Sequence, residues 1–373
     1  MNVLRRMAVA TSCLAGLLSA SQPLPAADEL NWTALPNLPD KHGFAGMYAG
    51  VSGDTLIAAG GANFPDAPPW QGGGKVWHAR IYLLDSPDSK WRVAKTGLPR
   101  GLAYGVSLTV RHRSIDAGDH RGVVCLGGDD GKRASRDVFL LTCQEGKIVV
   151  RELPPLPGPC TQMCGAVVGD TIYVAGGAEA LDATESRKTF WSADVTSLLT
   201  TKRDKSKNVW RELPPWPGAE RMQAVAATDG ADFFLLGGVR LTRGDDGKPT
   251  RITPYLRDAF RFRLGPQPHW EELPDMPRPV AAAPSPAPRI SGELALLGGV
   301  DGSLFTHDQA THPGFTRRTL RFDPALNRWR EGPPLPESIS RVTVPLAAYR
   351  DGFVLVSGEI RPGVRSPSVW WAK

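Results

Sequence analysis

Short apolar runs that end in glycine set the pattern of the chain after residue 28, where no helical periodicity of useful length occurs. Five of these runs close on a glycine pair: LIAAGG at 56–61, VVCLGG at 123–128, IYVAGG at 172–177, FFLLGG at 233–238 and ELALLGG at 293–299. A sixth run, FVLVSG at 353–358, has serine in place of the first glycine. Short β-type runs punctuated by glycine and proline predict an all-β chain.

A second motif accompanies the glycine pairs and consists of a tryptophan followed by a segment that ends in Leu-Pro or Pro-Pro. Its copies are WTALPNLP at 32–39, WRVAKTGLP at 91–99, WRELPPWP at 210–217, WEELPDMP at 270–277 and WREGPPLP at 329–336, while VRELPPLP at 150–157 lacks the tryptophan. Successive glycine pairs lie 49 to 67 residues apart, a spacing that suits a four-stranded blade with loop insertions. The pattern predicts a six-bladed kelch-type β-propeller that forms a single domain over residues 28–373.

The two ends of the chain are out of phase with this repeat. The first tryptophan motif, at Trp32, has no glycine pair before it, and the last glycine-containing run is followed by PSVWWAK at the chain end. We therefore expect residues 30–36 to form the outer strand of the last blade, which residues 341–373 otherwise build. Pairing of the two ends would leave no strand edge open in the ring.

The first 27 residues have the pattern of a secretory signal peptide. Arg5 and Arg6 precede an apolar run over 7–18, and small residues follow at Ala20 and Ala27. The run is too short to span a bilayer, and no later segment resembles a membrane span, so the sequence predicts a periplasmic or secreted protein. Because the segment carries two arginines and no acid, its removal lowers the net charge from +6 to about +4, which is too mild to indicate nucleic-acid binding.

Four cysteines remain after residue 27: Cys125, Cys143, Cys160 and Cys164. Cys125 and Cys143 fall on strands that we expect to be neighbours, so one interpretation is a disulfide formed in an oxidising compartment. The other is two separate buried thiols. The segment CTQMC at 160–164 has no His or Cys partner at metal-binding spacing, so we expect no metal site.

The predicted topology collects polar residues on one face of the ring, because the inner strand of each blade leaves this face and the next strand returns to it. The residues just before the inner strands are His42, Arg100, Gln162, Arg221, Arg278 and Arg341, and those just after the next strands are Asn63, Asp129, Glu179, Arg240, Asp301 and Glu359. Three long insertions, at 62–78, 239–255 and 300–316, fall on the same face. Many arginines with a few carboxylates suit an anionic, hydroxylated ligand.

The segment GEIRPGVRSP at 358–367 is the sharpest local feature on this face. It places Glu359 at the end of an inner strand, and Arg361 and Arg365 flank a Pro-Gly turn. A glutamate beside two arginines is often a structural ion pair. Its position towards the axis favours a functional role, because a ligand would lie there.

GEIRPGVR at 358–365, HGFAGMYAGVSGDTLIAAGGANF at 42–64, LAYGVS at 102–107 and the six repeats together resemble the N-acetylneuraminate epimerases, also called sialate mutarotases. The order of the blades is similar to the cyclically permuted mutarotase branch of that family, and the resemblance covers residues 30–373. It implies that Glu359 is the acid/base glutamate and Arg365 its partner arginine. It also implies a small sugar acid as substrate and no cofactor. The chain departs from the epimerases at Leu102, where they carry an arginine.

The substrate-binding residues expected beside this pair are Arg221, Arg341, Arg100, Tyr104, Asn63, His78 and Arg361. Two other enzyme classes fit less well: the chain lacks the Tyr/His/Cys constellation of copper-radical galactose oxidases and the S-x-D-x-G-x-T-W turns of hydrolytic sialidases. The strongest alternative is a secreted propeller that binds a glycan or a protein without catalysis, in which Glu359 would be structural. The oligomeric state stays open.

Overall fold

In the computed structural model, residues 30–114, 118–201 and 208–373 are described, so the expected signal peptide lies outside the described residues. Six antiparallel sheets of four strands each follow one another around a central axis, with three small side hairpins. The predicted six-bladed β-propeller is confirmed.

Blades one to three occupy the first half of the chain. The chain opens with β1 (Trp32–Leu35), and blade one contains β2 (Tyr48–Ser52), β3 (Thr55–Ala59), the side hairpin β4 (Ala62–Asn63) and β5 (Val76–Trp77), β6 (Ile81–Leu84) and β7 (Arg92–Val93). Blade two contains β8 (Val106–Ser114), β9 (Gly118–Leu126), β10 (Val138–Gln144) and β11 (Lys147–Leu153). Blade three contains β12 (Cys164–Val168), β13 (Thr171–Ala175), β14 (Phe190–Asp194), the short helix α1 (Val195–Thr200) and β15 (Arg211–Glu212).

Blades four to six complete the ring. Blade four contains β16 (Val225–Thr228), β17 (Phe233–Gly238), the side hairpin β18 (Leu241–Arg243) and β19 (Pro249–Arg251), β20 (Leu256–Arg263) and β21 (His269–Leu273). Blade five contains β22 (Arg289–Ile290), β23 (Glu293–Leu297), β24 (Thr319–Asp323) and β25 (Arg328–Gly332). Blade six contains β26 (Leu346–Tyr349), β27 (Gly352–Val356), the side hairpin β28 (Glu359–Arg361) and β29 (Val364–Arg365), and β30 (Val369–Ala372). Single 3₁₀ turns lie at Pro69–Gln71 and Glu337–Ile339.

The ring is closed by its own two ends, as the phase of the repeat predicts. Strand β1 pairs antiparallel with β30, which places Trp32 opposite Ala372 and Leu35 opposite Val369. The strand order of blade six is therefore β1-β30-β27-β26, with the N-terminal strand outermost. Closure satisfies backbone groups that would otherwise form an open edge.

The glycine pairs join neighbouring blades, which explains why the sequence repeats them. Gly60 and Gly61 have φ of 66° and 91°, which favours glycine, and the Gly61 N–H donates to the carbonyl of Leu102 in blade two at 2.8 Å. In the degenerate copy Ser357 keeps the positive φ, at 61°. Its hydroxyl donates to the carbonyl of Ser366 at 2.7 Å and accepts from the N–H of Phe44 at 2.7 Å. The serine thus replaces a glycine and adds a side-chain link between blades six and one.

A second set of interblade bonds encircles the axis. In each blade one residue, two to seven positions before the inner strand, has a positive φ between 49° and 66°. Its N–H donates to the carbonyl of the equivalent residue in the preceding blade at 2.7–3.0 Å. The bond from Gly46 to Thr343 closes this axial ring across the two ends of the chain. Its members are Gly46, Tyr104, Gln162, Gln223, Ala282 and Thr343.

Of the two interpretations of Cys125 and Cys143, the disulfide is excluded by the register of the strands. Cys125 lies opposite Phe139 on the adjacent strand, so Cys143 lies four residues further along, about 13 Å at the usual rise per residue. Disulfides require Cα atoms within about 7 Å. All four cysteines of the described residues are free thiols, and burial raises the pKa of Cys125 well above its usual value. The alternative of separate thiols agrees with the register of the strands.

Within the described ranges, no helix is long and apolar enough to cross a membrane.

Candidate functional site

A two-lobed depression lies over the axial ring on the face that the sequence identified. One lobe, of about 580 Å³, is bordered by Glu359 and by the insertions of blades four and five. The other, of about 340 Å³, is bordered by Lys75, Trp77, Tyr104 and Asp129. We call them the Glu359 lobe and the Lys75 lobe. They share the walls Gln223, Arg251 and Phe305, so they form one continuous site of a size that fits a small molecule.

Glu359 is placed by its position directly after the second glycine-pair residue of blade six. Its backbone pairs antiparallel with Val342, with N–H to carbonyl distances of 2.8 and 3.0 Å. Its carboxylate Oε1 accepts a hydrogen bond from the N–H of Gly363 at 2.7 Å, which fixes the turn of the side hairpin β28–β29. The side chain is 15% exposed and borders the Glu359 lobe. The carboxylate is thus held rigidly where a ligand would meet it.

Arg365 is the cation paired with Glu359, with Nη1 lying 3.4 Å from Oε1. Its side chain is only 4% exposed, and the guanidinium carbon lies 4.6 Å from the centre of the Phe64 ring. Nε and Nη1 have no hydrogen-bond partner among the described residues. Buried donors without an acceptor are costly. Both nitrogens are buried, and Nη1 lies against Glu359, so the guanidinium lies behind the carboxylate and not on the wall of the cavity.

Asn63 and His78 lie together behind the Phe64 side of the site. The amide of Asn63 is buried and donates to the carbonyl of Gly43 at 2.9 Å. The Nε2–H of His78 donates to the amide oxygen of Asn63 at 2.8 Å. Burial lowers the pKa of His78, which favours its neutral form. The structure brings these two expected residues together, and neither borders the two lobes.

Tyr104 and Arg361 take different positions at the depression. Tyr104 belongs to the axial ring and forms a wall of the Lys75 lobe. Arg361 stacks on the Trp70 ring at 5.4 Å and donates to the carbonyl of Ala310 at 3.0 Å. Arg361 therefore ties the hairpin of blade six to the insertions of blades one and five.

Arg221 and Arg341 do not line the depression as expected. Arg221 is fully buried, pairs with both carboxylate oxygens of Asp258 at 2.9 and 2.7 Å and donates to the carbonyl of Gly237 at 2.9 Å. Arg341 is 1% exposed and donates to the carbonyls of Ser357 at 2.6 Å and of Ser368 at 3.0 Å. Burial lowers the pKa of Arg341 to about 10. Both guanidinium groups fold back onto the glycine-pair carbonyl of their own blade, so their assignment as substrate ligands finds no support.

Arg100 is also satisfied within the protein. It forms ion pairs with Asp137 at 2.6 Å and with Asp130 at 3.2 Å, and it donates to the hydroxyl of Ser135 at 2.9 Å. The cluster holds the loop that follows β9 in blade two. Arg100 is therefore a structural residue in this geometry and offers no compensation for the arginine missing at Leu102.

Sequence reasoning missed three cations of the depression, Lys75, Arg251 and Arg317; Arg317 borders the Glu359 lobe, and its Nε–H donates to the carbonyl of Leu335 at 2.6 Å. Lys75 precedes β5 and borders the Lys75 lobe, and Arg251 ends β19 and borders both lobes. Both lie on insertions that the repeat pattern had located on this face. The length of the insertions was the available signal that they contribute to this face. Which of their residues face the cavity depends on the pairing of the two side hairpins, which the sequence pattern does not show.

The fold and the site define a kelch-type propeller with a Glu–Arg pair beside an axial cavity, the class to which the motifs pointed. No protein-family model matches the chain. The chain is 27% identical over 245 residues to the N-acetylneuraminate epimerase of Yersinia pestis (strain Pestoides F), covering 59% of this chain and 57% of that protein. It is 27% identical over 237 residues to the N-acetylneuraminate epimerase of Haemophilus influenzae (strain PittEE), covering 57% of each.

The chain thus spans less than two thirds of the length of these curated relatives. The solved structure of YjhT matches with a TM-score of 0.60 at 16% identity, over 89% of this chain and 95% of that one, which supports the fold alone. The resemblance to the N-acetylneuraminate epimerases is confirmed by the named relatives.

Proposed function

We propose that the protein is a sugar mutarotase that interconverts the anomers of N-acetylneuraminic acid or a related sugar acid. The observation that carries the proposal is the Glu359–Arg365 pair, in which the carboxylate borders the cavity and the buried guanidinium lies behind it. The names of the relatives support the same substrate class. Arrangement and resemblance agree on one reaction type, an isomerisation by proton transfer.

In the proposed reaction Glu359 accepts the proton of the anomeric C2 hydroxyl. The bond between C2 and the ring oxygen breaks, and the ring oxygen receives that proton from Glu359, directly or through a water. The result is an open-chain 2-keto acid. Rotation about the C2–C3 bond presents the other face of the ketone, and the same steps in reverse close the ring. Protons and atoms balance over the cycle, so no external reactant is consumed.

Arg365 would stabilise, through its nearby positive charge, the C2 oxygen as negative charge develops on it. Its guanidinium is fixed by the stacking on Phe64 and by the pair with Glu359, so little reorganisation is needed during the reaction. Preorganised charges of this kind contribute strongly to catalysis in sites shielded from water.

Proton NMR tests the proposal by following the pure α anomer of N-acetylneuraminic acid as it equilibrates. We expect the wild type to accelerate equilibration over buffer, and Glu359→Gln to reduce the acceleration by about 10²- to 10⁴-fold, the range of general acid–base catalysis. Glu272→Gln is the matched control, because Glu272 is exposed on the outermost strand of blade four. Wild-type acceleration retained in Glu359→Gln would show that this carboxylate is structural.

The second candidate is a non-catalytic glycan-binding propeller. It is favoured by the bond from the Gly363 N–H to Glu359, which gives the carboxylate a structural task. Binding of the sugar acid without any acceleration of its equilibration would support this second candidate.

We also propose that the protein is exported to the periplasm or secreted, because of the basic, apolar and small-residue order of residues 1–27. Amino-terminal sequencing of the protein from a periplasmic fraction tests this. A mature chain that begins after Ala20 or Ala27 supports export, and an intact first segment in the cytoplasm contradicts it.

A further inference from the structure

The substrate carboxylate requires a cation, and the arginines expected to supply it are bound within the protein. We propose that Lys75 binds the carboxylate of the sugar acid and thereby sets the preference for anionic over neutral sugars. This inference rests on the proposed function and adds to it the residue that determines specificity.

Lys75 lies against three aromatic rings. Its ammonium group is 5.3 Å from the ring centre of Tyr104, 5.4 Å from that of Trp77 and 5.7 Å from that of Phe64. The side chain is exposed, and it forms no salt bridge within the described residues. Ring faces attract a cation without neutralising it. The aromatic rings therefore position a charge that can still pair with an anion.

The aromatic surroundings of Lys75 are rigidly built. The indole Nε1–H of Trp77 donates to the carboxylate of Asp129 at 2.9 Å. The other oxygen of Asp129 accepts from the Thr161 hydroxyl at 2.6 Å. Gly131 lies under the indole, where an added Cβ would come within 2.6 Å of the ring. The Trp77 ring is thus fixed by Asp129 at its edge and by Gly131 against its face, which limits the positions that Lys75 can take.

Phe64 connects Lys75 with the proposed catalytic pair. Arg365 lies 4.6 Å and Lys75 lies 5.7 Å from the centre of that ring, so the two cationic centres are at most about 10 Å apart. The carboxylate of a 2-keto sugar acid is bonded directly to C2, the atom on which Glu359 and Arg365 would act. A cation in this position can therefore bind the carboxylate while C2 faces the pair.

Arg251 and Arg317 are the rival cations, because Arg251 borders both lobes and Arg317 borders the Glu359 lobe. Arg317 already donates to a backbone carbonyl of its own blade. Arg251 belongs to blade four, which is separated from blade six by blade five. Lys75 belongs to blade one, which is bonded directly to blade six through Ser357 and Phe44. The position of Lys75 favours it as the ligand of a group attached to C2.

The test compares two substrates, N-acetylneuraminic acid and its neutral methyl ester, with the NMR assay of anomer equilibration. Lys75→Met keeps a long side chain against the rings and removes the charge. We expect it to raise KM for the acid about ten- to hundredfold, the size of one charged hydrogen bond, and to leave KM for the ester unchanged. Lys90→Met, an exposed lysine between β6 and β7, should change neither value.

Three results would overturn the proposal. The first is an unchanged preference for the acid in Lys75→Met. The second is loss of this preference in Arg251→Gln while Lys75→Met retains it. The third is an equal rise in KM for both substrates in Lys75→Met, which would indicate lost packing. A wild type that accelerates neither substrate would instead refute the proposed function, so the two failures are distinguishable.

Discussion

Replacing Arg221 by methionine tests whether this arginine stabilises the fold or binds the substrate. The position was expected to contact the ligand, yet its guanidinium is fully buried and pairs with both oxygens of Asp258 and with the carbonyl of Gly237. It also lies 5.4 Å from the Trp216 ring and 5.1 Å from the Phe260 ring. We expect Arg221→Met to lower the free energy of unfolding and to leave KM for the sugar acid unchanged.

The magnitude follows from what the substitution leaves behind. Loss of one partner from a buried ion pair typically costs 3–5 kcal/mol, because the remaining charge is uncompensated. Asp258 is 31% exposed, so water screens part of its charge and the lower end of this range applies. The unpaired carbonyl of Gly237 adds a desolvation cost. We expect a total of about 3 kcal/mol.

Urea denaturation gives the free energy of unfolding, provided that the m-value stays constant, and the NMR assay gives KM for the folded protein. Arg365→Met is the contrasting variant. Its loss leaves the carboxylate of Glu359, which is 15% exposed, without its cation, so we expect a cost of about 3 kcal/mol here as well, but activity falls sharply. A raised KM in Arg221→Met with unchanged stability would refute this division of roles.

Two further predictions concern the joints of the ring and its behaviour in acid. Ser357→Ala keeps a strained positive φ and removes the hydroxyl that links Phe44 to Ser366, so it should destabilise the protein by about 1–3 kcal/mol in thermal or urea unfolding. A variant as stable as the wild type would show that this link is dispensable. Burial lowers the pKa of His78 and of His312 below the ordinary value of 6.5. The unfolded chain therefore binds more protons near and below that pH, and stability should fall as the pH drops through 6.5 towards the lowered values. Replacing both histidines by glutamine should flatten this slope in urea titrations at pH 7.5 and 5.5, and an unchanged slope would assign it to other groups.

The blade count and the closure of the ring could be predicted because they depend on glycines that the backbone conformation requires. A pair such as Gly60–Gly61 needs positive φ at both positions and a close approach to the next blade, and few residues other than glycine accept that. The phase of the tryptophan motif then fixed which strand closes blade six. The choice between a Cys125–Cys143 disulfide and separate thiols stayed open because neighbouring strands were predicted without their register, and four residues of offset decide the distance.

The direction of the arginine side chains could not be predicted from position alone. Arg341 and Arg365 belong to the same blade, and both were expected at the cavity. Arg341 reaches backbone carbonyls within its own blade, whereas Arg365 meets the flat face of Phe64. The difference depends on which acceptors lie within reach after the sheet has formed. Lys75 was missed for the same reason, because the path of its insertion is set by pairing between β4 and β5.

Asp129 and Glu359 show how a repeated fold can give equivalent positions different tasks. Each directly follows the second glycine-pair residue of its blade and pairs with the residue that precedes the axial-ring residue. Asp129 accepts hydrogen bonds from the Trp77 indole, the Thr161 hydroxyl and the Gly131 N–H, which uses both of its oxygens within the protein. Glu359 accepts from the Gly363 N–H and pairs with Arg365 through the same oxygen, Oε1. The symmetry of the propeller brings both carboxylates to the axis, and the difference in their neighbours supports the role proposed for Glu359.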